Sequence, residues 1–237
     1  MNALVLDIPF AQQNPEEFAF LMRYATGAER ILEIGSCYGH SLRMLARVAI
    51  KGAVLRSIDL GTLPAEAAEF AGADVTPTLT RVIEELNLDG YDAKLHVGDS
   101  HSAEAIKFAE KSAPYDLVFI DGDHTFDGVA ADLLNYGPMS RHLIACHDIA
   151  HPTHGVAKMW REIRTAGGMR TDEKVCSSMG IGLLIKAKAI AFANAVAPYE
   201  AHPAHGVRKF WRELNEAGAR TDEKVCSGKG IGLLIKA

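Results

Sequence analysis

The sequence has little of what marks membrane, secreted or nucleic-acid-binding proteins. No apolar run is long enough to span a bilayer, and the apolar first ten residues contain Asp7 and no basic cluster. Basic residues do not exceed acidic ones, and the formal net charge is −5. This charge gives no electrostatic basis for binding nucleic acid or an anionic membrane. We therefore expect a cytoplasmic protein with no signal peptide, no membrane partner and no nucleic-acid partner.

Cysteine is scarce, and its spacing does not suggest a redox or zinc motif. The four cysteines, Cys37, Cys146, Cys176 and Cys226, form no CxxC pair. Reduced structural thiols are favoured over a disulfide or a metal site. The other proportions are those of an ordinary folded protein, since 48% of residues are hydrophobic and 23% are charged. A chain of 237 residues is long enough for one full domain with an extension.

Strand-like and helix-like segments alternate along the first 150 residues. Short apolar runs predict five strands, and amphipathic segments between them predict helices. The predicted strands are 30–34, 54–60, 93–97, 116–120 and 142–146, and the predicted helices are 14–26, 41–50, 77–86, 102–112 and 127–136. Segment 61–76 has no clear pattern and is interpreted as an insertion or lid. Strands separated by helices indicate an α/β protein with a parallel sheet covered on both faces.

The loop after the first predicted strand is typical of a cofactor-binding turn. Glu33 lies at the strand end, and Gly35 and Gly39 follow with a spacing of four. Glycine can adopt a positive φ and lets a ligand approach the backbone, while a carboxylate can bind a cation or a hydroxyl. The pattern lacks the close glycines of GxGxxG, which disfavours a pyrophosphate and hence a nicotinamide-dependent dehydrogenase. The loop therefore predicts a nucleoside-like cofactor without phosphate.

Polar residues also follow the other predicted strands. Asp59, Asp99 and Asp121 end the second, third and fourth, and His147 and Asp148 end the fifth. Open parallel sheets bind ligands at this edge, so these side chains are predicted to meet at one rim. Asp59, some twenty residues beyond the glycine loop, is placed to accept hydrogen bonds from ribose hydroxyls. Aspartate also favours turns, and a purely structural role is the alternative for each acid.

Together these motifs resemble class I S-adenosylmethionine-dependent methyltransferases. They are most similar to the O-methyltransferase branch with a D-G-D-H motif, which includes macrocin-type sugar methyltransferases and cephalosporin-hydroxylase-like proteins. The motifs are ILEIGSCYG at 31–39, SIDL at 57–60, HVGDS at 96–100, DLVFIDGDHTFDGV at 116–129 and LIACHDI at 143–149. The resemblance covers about residues 15–187 and includes HGVAKMWREI and GIGLLIK, which resemble the last helix and the closing strand of the family.

The resemblance implies a fold, an activity and a cofactor site. The fold is a Rossmann-like, doubly wound, mostly parallel seven-stranded sheet with a final antiparallel strand. The activity is O-methylation of a small hydroxylated molecule, such as a sugar or a phenol. The cofactor is S-adenosylmethionine, and its implied contacts are Glu33, Gly35, Ser36 and Gly39 around the methionine half, Asp59 at the ribose, and Asp99 with Ser100 by the adenine.

The resemblance also implies a divalent metal in some relatives. The corresponding ligands here are Asp121, His147 and Asp148, and the implied ion is Mg²⁺ or Mn²⁺. His147 occupies a position that is usually acidic, which shifts the preference of the site toward softer ions and leaves a site without metal as the alternative.

Two residues of the D-G-D-H motif are candidates for the catalytic base. His124 is favoured because an imidazole titrates near neutral pH, and Asp123 is the rival. The structural alternatives are a helix cap for His124 and a solvated turn carboxylate for Asp123. Further along, His151 and His154 have ligand-like spacing, but we interpret them as loop and cap residues.

The C-terminal part of the chain contains a direct repeat. Residues 151–187 recur as 202–237, with 27 identities in 36 aligned pairs. We divide the chain into a methyltransferase domain at 1–187, a linker at 188–201 and the repeat at 202–237. Each copy contains an amphipathic helix and two strand-like runs, whereas the sheet has room for one. Either copy could complete the sheet, and the other is predicted to exchange with a second chain or to pack in a homodimer interface; a duplication without a role is the alternative.

The second copy has neither the glycine loop nor the D-G-D-H motif, so it cannot form a second active site. The second functional hypothesis is that the chain is an S-adenosylmethionine-binding protein without transferase activity, whose duplicated tail serves assembly.

Overall fold

The computed structural model describes residues 13–63, 73–166 and 169–186. Seven strands there form one sheet in the order β3-β2-β1-β4-β5-β7-β6. The strands are β1 Arg30–Ile34, β2 Val54–Asp59, β3 Asp92–Val97, β4 Tyr115–Ile120, β5 Ser140–His147, β6 Arg170–Lys174 and β7 Ile181–Ile185. The helices are α1 Pro15–Ala25, α2 His40–Val48, α3 Thr76–Leu88, α4 Ala103–Glu110, α5 Phe126–Tyr136 and α6 Gly155–Ala166, and Gly137–Met139 form a 3-10 turn.

The strand directions confirm the predicted Rossmann-like sheet. Strands β1 to β5 are parallel, and β7 runs antiparallel to both β5 and β6. The winding reverses between β1 and β4, and this arrangement opens a crevice at the carboxyl ends of these two strands. Of the predicted insertion, residues 64–72 lie outside the described ranges, and its two ends are joined by a bridge between Thr62 and Asp74.

Each of the ten predicted helices and strands up to residue 146 is present within a few residues of its predicted bounds. The side-chain oxygen of Asn14 accepts a hydrogen bond from the Glu16 N–H at 2.9 Å and so caps the start of α1. The three described cysteines are free thiols. Cys226 lies outside the described residues.

The helices cover the two faces of the sheet. Helices α1, α2 and α3 bury one face, and α4, α5 and α6 bury the other. Side chains alternate along β1, so Leu32 and Ile34 pack against the α4–α6 side while Ile31 packs against the α1–α3 side. Glu33 shares the face of Ile31 and is fully buried there, which is unusual for an acid.

The first copy of the repeat supplies the end of the sheet. Its amphipathic helix, α6, buries an apolar face formed by Val156, Met159, Trp160 and Ile163. The indole N–H of Trp160 donates to Glu173 at 2.7 Å, and Gly182 lies so close beneath the ring that a Cβ there would be 2.6 Å from it. Ala157 is also buried, and the second copy has Arg208 at the matching position. Burying a guanidinium at this position would be costly, which favours the first copy here. The linker and the second copy lie outside the described residues.

A buried acid in α1 holds the turn between the last two strands. Glu17 is fully buried, and its carboxylate accepts hydrogen bonds from the backbone N–H groups of Cys176, Ser177 and Gly180 at 2.5, 2.8 and 3.2 Å. The sequence does not predict this contact, because an acid in the first turn of an amphipathic helix usually faces solvent and the helix dipole.

Candidate active site

The two glycines of the first loop are fixed by close neighbours. Gly35 has a φ of +81°, and a Cβ on it would lie 2.1 Å from the carbonyl oxygen of Asp121. Gly39 has a φ of +74°, and its Cβ would lie 2.9 Å from Val82 of α3. The loop after β1 therefore touches the loop after β4, and both positions require glycine.

The buried side chain of Glu33 holds the loop after β1 through Ser36. One of its carboxylate oxygens, Oε2, accepts a hydrogen bond from the Ser36 hydroxyl at 2.6 Å, and that hydroxyl lies 2.7 Å from the Ser57 hydroxyl. The other oxygen, Oε1, is buried without a hydrogen-bond partner. Burial raises the pKa of the Glu33 carboxyl to about 8. The side chain thus positions Ser36 and leaves one buried polar atom unsatisfied.

Asp59 joins the loops after β1 and β2. Its Oδ2 accepts a hydrogen bond from the Cys37 N–H, and its Oδ1 accepts one from the Gly61 N–H, each at 2.7 Å. Burial raises the pKa of this carboxyl even though the backbone N–H groups favour its charged form. Each oxygen still has an acceptor position that these bonds do not use. The Asp59 side chain, which is predicted to bind the ribose, is therefore held rigidly at the rim.

The residues after β3 face different directions. Asp99 is largely exposed, and its carboxylate accepts a hydrogen bond from the His101 N–H at 2.8 Å. The Ser100 hydroxyl instead points inward and donates to Asp132 at 2.8 Å. Asp132 is fully buried in α5, and the Nε2 of His101 lies 3.3 Å from the same oxygen. Sequence reasoning missed Asp132 and His101, although an acid on the apolar stripe of α5, beside Val129 and Leu133, is a visible signal.

We expect the contribution of His101 to stability to depend on pH. The Asp132 carboxylate outweighs the effect of burial and raises the pKa of His101 to about 9. Because this lies above the usual value of about 6.5, the contribution is complete below pH 6.5 and is lost as the pH rises through about 9. In urea denaturation, His101→Gln should therefore lower the free energy of unfolding more at pH 6 than at pH 10. An equal difference at both pH values would contradict this ion pair.

The predicted metal ligands come together at the ends of β4 and β5. The Nδ1 of His147 lies 3.1 Å from Asp121 Oδ1 and 3.2 Å from Asp148 Oδ1. Burial would lower the pKa of His147, but the Asp121 carboxylate raises it to about 9. Burial would raise the pKa of Asp121, but the His147 and His124 imidazoles hold it well below the usual range. Gln13, which precedes α1, also donates to Asp121 at 3.0 Å.

The D-G-D-H histidine lies at the open side of this cluster. His124 is about one-third exposed, and its Nε2 is 3.6 Å from Asp121 and 3.4 Å from Asp148. Burial lowers its pKa, but the Asp121 carboxylate outweighs this and produces a net increase. Asp123, the rival base, is exposed, and its carboxylate accepts a hydrogen bond from the Thr125 N–H at 2.8 Å. It matches the solvated turn carboxylate that was its structural alternative.

His154, interpreted from the sequence as a cap residue, directly precedes α6 and also reaches the cluster. Its Nδ1 lies 2.9 Å from Asp148 Oδ2, so the loop after β5 returns this ring to the cluster. Its ring stacks on His124 with centroids 4.4 Å apart. His151 stacks on the other side of His154 at 3.5 Å, and its own Nδ1 lies near Thr153, in keeping with a loop role.

The sequence that forms this site matches a known protein family. Residues 32–149 match the model of a family described as a methyltransferase domain. The chain therefore contains a methyltransferase domain of this family. The matched segment runs from β1 to just beyond β5, and it contains the glycine loop, Asp59 and the cluster around Asp121.

Solved structures of O-methyltransferases have the same fold as this methyltransferase. One from Bacillus cereus, in complex with S-adenosylhomocysteine, is 20% identical, with a TM-score of 0.52 over 75% of this chain and 84% of that one. TomG from Streptomyces achromogenes, which is involved in tomaymycin synthesis and was solved with S-adenosylmethionine, is 19% identical, with a TM-score of 0.54 over 76% of this chain and 84% of that one. No protein of curated function matches the sequence.

Family and fold together confirm the predicted methyltransferase and its Rossmann-like fold. The narrower D-G-D-H branch stays a prediction. Among the described helices, none combines the length and the apolar character that crossing a membrane requires.

Proposed function

We propose that this methyltransferase transfers the methyl group of S-adenosylmethionine to a hydroxyl oxygen of a small molecule, such as a sugar or a phenol. The contact between Gly35 and Asp121 carries the proposal, because it places the cofactor loop directly beside a cluster of imidazoles and carboxylates. The two structural neighbours are O-methyltransferases solved with this cofactor or its product, which supports the same use here.

The cofactor residues take the roles that the resemblance implies. Gly35, Ser36 and Gly39 line the methionine half, with Glu33 positioning Ser36 from below. Asp59 binds the ribose hydroxyls through its unused acceptor positions. By the adenine, Asp99 contributes its exposed carboxylate, and Ser100 lies beside it with its hydroxyl engaged by Asp132.

His124 is the proposed base. In methyl transfer the sulfonium leaves as a neutral thioether, so the protein has to orient the acceptor and remove its proton. The buried Nε2 of His124 makes no hydrogen bond and is free to accept that proton. The Asp121 carboxylate, 3.6 Å away, stabilises the imidazolium that forms.

The donor atoms of Asp121, His147 and Asp148 fit a divalent cation. They lie within 4.8 Å of one another, and Asp148 Oδ1 is buried without a hydrogen-bond partner. We propose Mg²⁺ or Mn²⁺ at this position. When bound, such an ion would polarise the acceptor oxygen and make its proton easier to remove.

Loss of cofactor binding in Asp59→Asn is the test of this function. The substitution keeps the shape of the side chain but removes its charge and one acceptor. We expect the affinity for S-adenosylhomocysteine, measured by calorimetry, to fall at least about tenfold, the loss of about one charge-assisted hydrogen bond.

Asp89→Asn is the matched control, because Asp89 is an exposed aspartate just after α3. It should bind the ligand as the unmodified protein does. If neither protein binds S-adenosylhomocysteine, or if Asp59→Asn binds it with unchanged affinity, the proposed cofactor site is wrong.

We also propose that the second copy of the repeat packs in a homodimer interface. Its helix pattern places Phe210, Trp211 and Leu214 on one face, and burying each contributes about 1.5–3 kcal/mol. Light scattering should therefore give a dimer for the full chain, whereas a chain ending at residue 187 should be monomeric and less stable. A full chain that is monomeric at all concentrations, and that loses no stability on truncation, would rule this interface out.

A further inference from the structure

The two oxygens of Asp148 face different sets of nitrogen atoms. Oδ1 lies 3.2 Å from His147 Nδ1, within the ligand set already described. Oδ2 lies 2.9 Å from His154 Nδ1 and 3.4 Å from His124 Nε2, on the other side of the carboxylate. The donor atoms of His124, Asp148 and His154 lie within 4.8 Å of one another. The carboxylate thus separates two clusters of possible ligands.

Hydrogen bonding satisfies this second cluster only in part, since His154 Nδ1 and Asp148 Oδ2 form a hydrogen bond of 2.9 Å. His124 Nε2 is shielded from solvent and makes no hydrogen bond, although a carboxylate oxygen is 3.4 Å away. The Asp148 side chain is 3% exposed, and its Oδ1 also has no hydrogen-bond partner. Ligand atoms about 2.1 Å from one ion and at right angles to each other are about 3 Å apart. The separations of 2.9 and 3.4 Å around Asp148 Oδ2 are close to that value.

The backbone fixes the two histidines relative to each other. The carbonyl oxygen of His124 accepts a hydrogen bond from the Gly155 N–H at 2.8 Å. A Cβ at Gly155 would be 1.9 Å from the Phe126 nitrogen, so the start of α6 is held tightly against the loop that carries His124. His154 immediately precedes this contact, and His151 supports its ring by stacking. A site held by its surroundings in this way needs little rearrangement to bind an ion.

We propose that His124, Asp148 and His154 form a second metal position, which binds a borderline first-row ion such as Zn²⁺ or Co²⁺ and shares Asp148 with the first set. Two imidazoles and one carboxylate suit such ions, whereas Mg²⁺ prefers oxygen ligands. The two rings are 36% and 27% exposed, so the position borders solvent although its ligand atoms are shielded. A consequence, which rests on the proposed function, is that an ion on His124 Nε2 occupies the lone pair of the base and inhibits methyl transfer.

Co²⁺ is the probe, because it is measured by calorimetry and by its visible absorption. The full chain, freed of metal with a chelator, is titrated alongside His154→Gln and the control His142→Gln, which changes an exposed histidine at the start of β5. His154→Gln should weaken Co²⁺ binding at least about tenfold, as loss of a metal-site residue does. His142→Gln should bind Co²⁺ as the unmodified chain does. Circular dichroism verifies that both variants are folded.

Asp121→Asn distinguishes the two positions, because only the first set includes Asp121. This variant should keep one Co²⁺ ion whose affinity depends on His154. The proposal is overturned if His154→Gln binds Co²⁺ with unchanged affinity, or if Asp121→Asn removes all Co²⁺ binding. S-adenosylhomocysteine affinity is measured in the same His154→Gln protein and should not change. Failure of the metal position is thereby distinguished from failure of the cofactor site.

Discussion

Gly35→Ala is expected to abolish cofactor binding and to lower the free energy of unfolding by more than about 2 kcal/mol. A left-handed φ costs a non-glycine residue about 1–2 kcal/mol by itself. At Gly35 the added methyl group would also lie 2.1 Å from the Asp121 carbonyl oxygen. Because both partners are backbone, the overlap can be relieved only by separating the loops after β1 and β4. Urea denaturation and S-adenosylhomocysteine calorimetry measure the two effects.

Gly27→Ala is the matched control. Gly27 has a φ of +82°, almost the same as Gly35, but its Cβ would have no atom within 4 Å. We expect it to cost only the conformational term of about 1–2 kcal/mol and to leave the cofactor affinity unchanged. Equal losses in the two variants would show that the contact with Asp121 is not what makes Gly35 necessary.

His124→Gln is expected to lower the rate of methyl transfer by about 10²–10⁴-fold, the usual contribution of a general base. Glutamine keeps a polar side chain of similar length but cannot accept a proton near neutral pH. The affinity for S-adenosylhomocysteine should stay the same, since His124 belongs to the loop after β4 and not to the cofactor loop. The measurement is single-turnover transfer to a panel of sugars and phenols, with Mg²⁺ or Mn²⁺ added.

Asp123→Asn tests the rival base one residue earlier. Its carboxylate accepts a hydrogen bond from a turn N–H, so we expect a less than about threefold change in rate. A large loss in Asp123→Asn with little change in His124→Gln would reverse the assignment. If the unmodified protein binds the cofactor but methylates none of the panel, the hypothesis of a binding protein without transferase activity gains support.

The sheet was predictable as far as β5, because each buried parallel strand reads as a short apolar run followed by a polar turn. Strand β4, at 115–120, is the clearest case. The pairing of the last two strands was harder, because two strand-like runs do not reveal that β7 lies between β5 and β6. The pattern also did not distinguish the two copies of the repeat, because the burial of Ala157, which is Arg208 in the second copy, cannot be read from the sequence alone.

For the site, sequence reasoning worked where residues end neighbouring parallel strands, because the geometry of the sheet then brings them together. Asp121, His147 and Asp148 meet in this way. The contact between His154 and Asp148 was not predicted, because an irregular loop joins the two residues and sequence spacing in such a loop does not determine distance. The role of Asp132 was not predicted, because its partner Ser100 lies in a different part of the chain and only the tertiary structure brings the two side chains together.

The buried carboxylate of Glu17 has a consequence for the order in which the molecule can be completed. Its backbone donors lie about 160 residues further along the chain, in the turn between β6 and β7. During synthesis on the ribosome, α1 therefore emerges long before the groups that hydrogen-bond its buried acid. Because a buried carboxylate without these bonds is costly, we expect α1 to pack fully on the sheet only after this turn has formed.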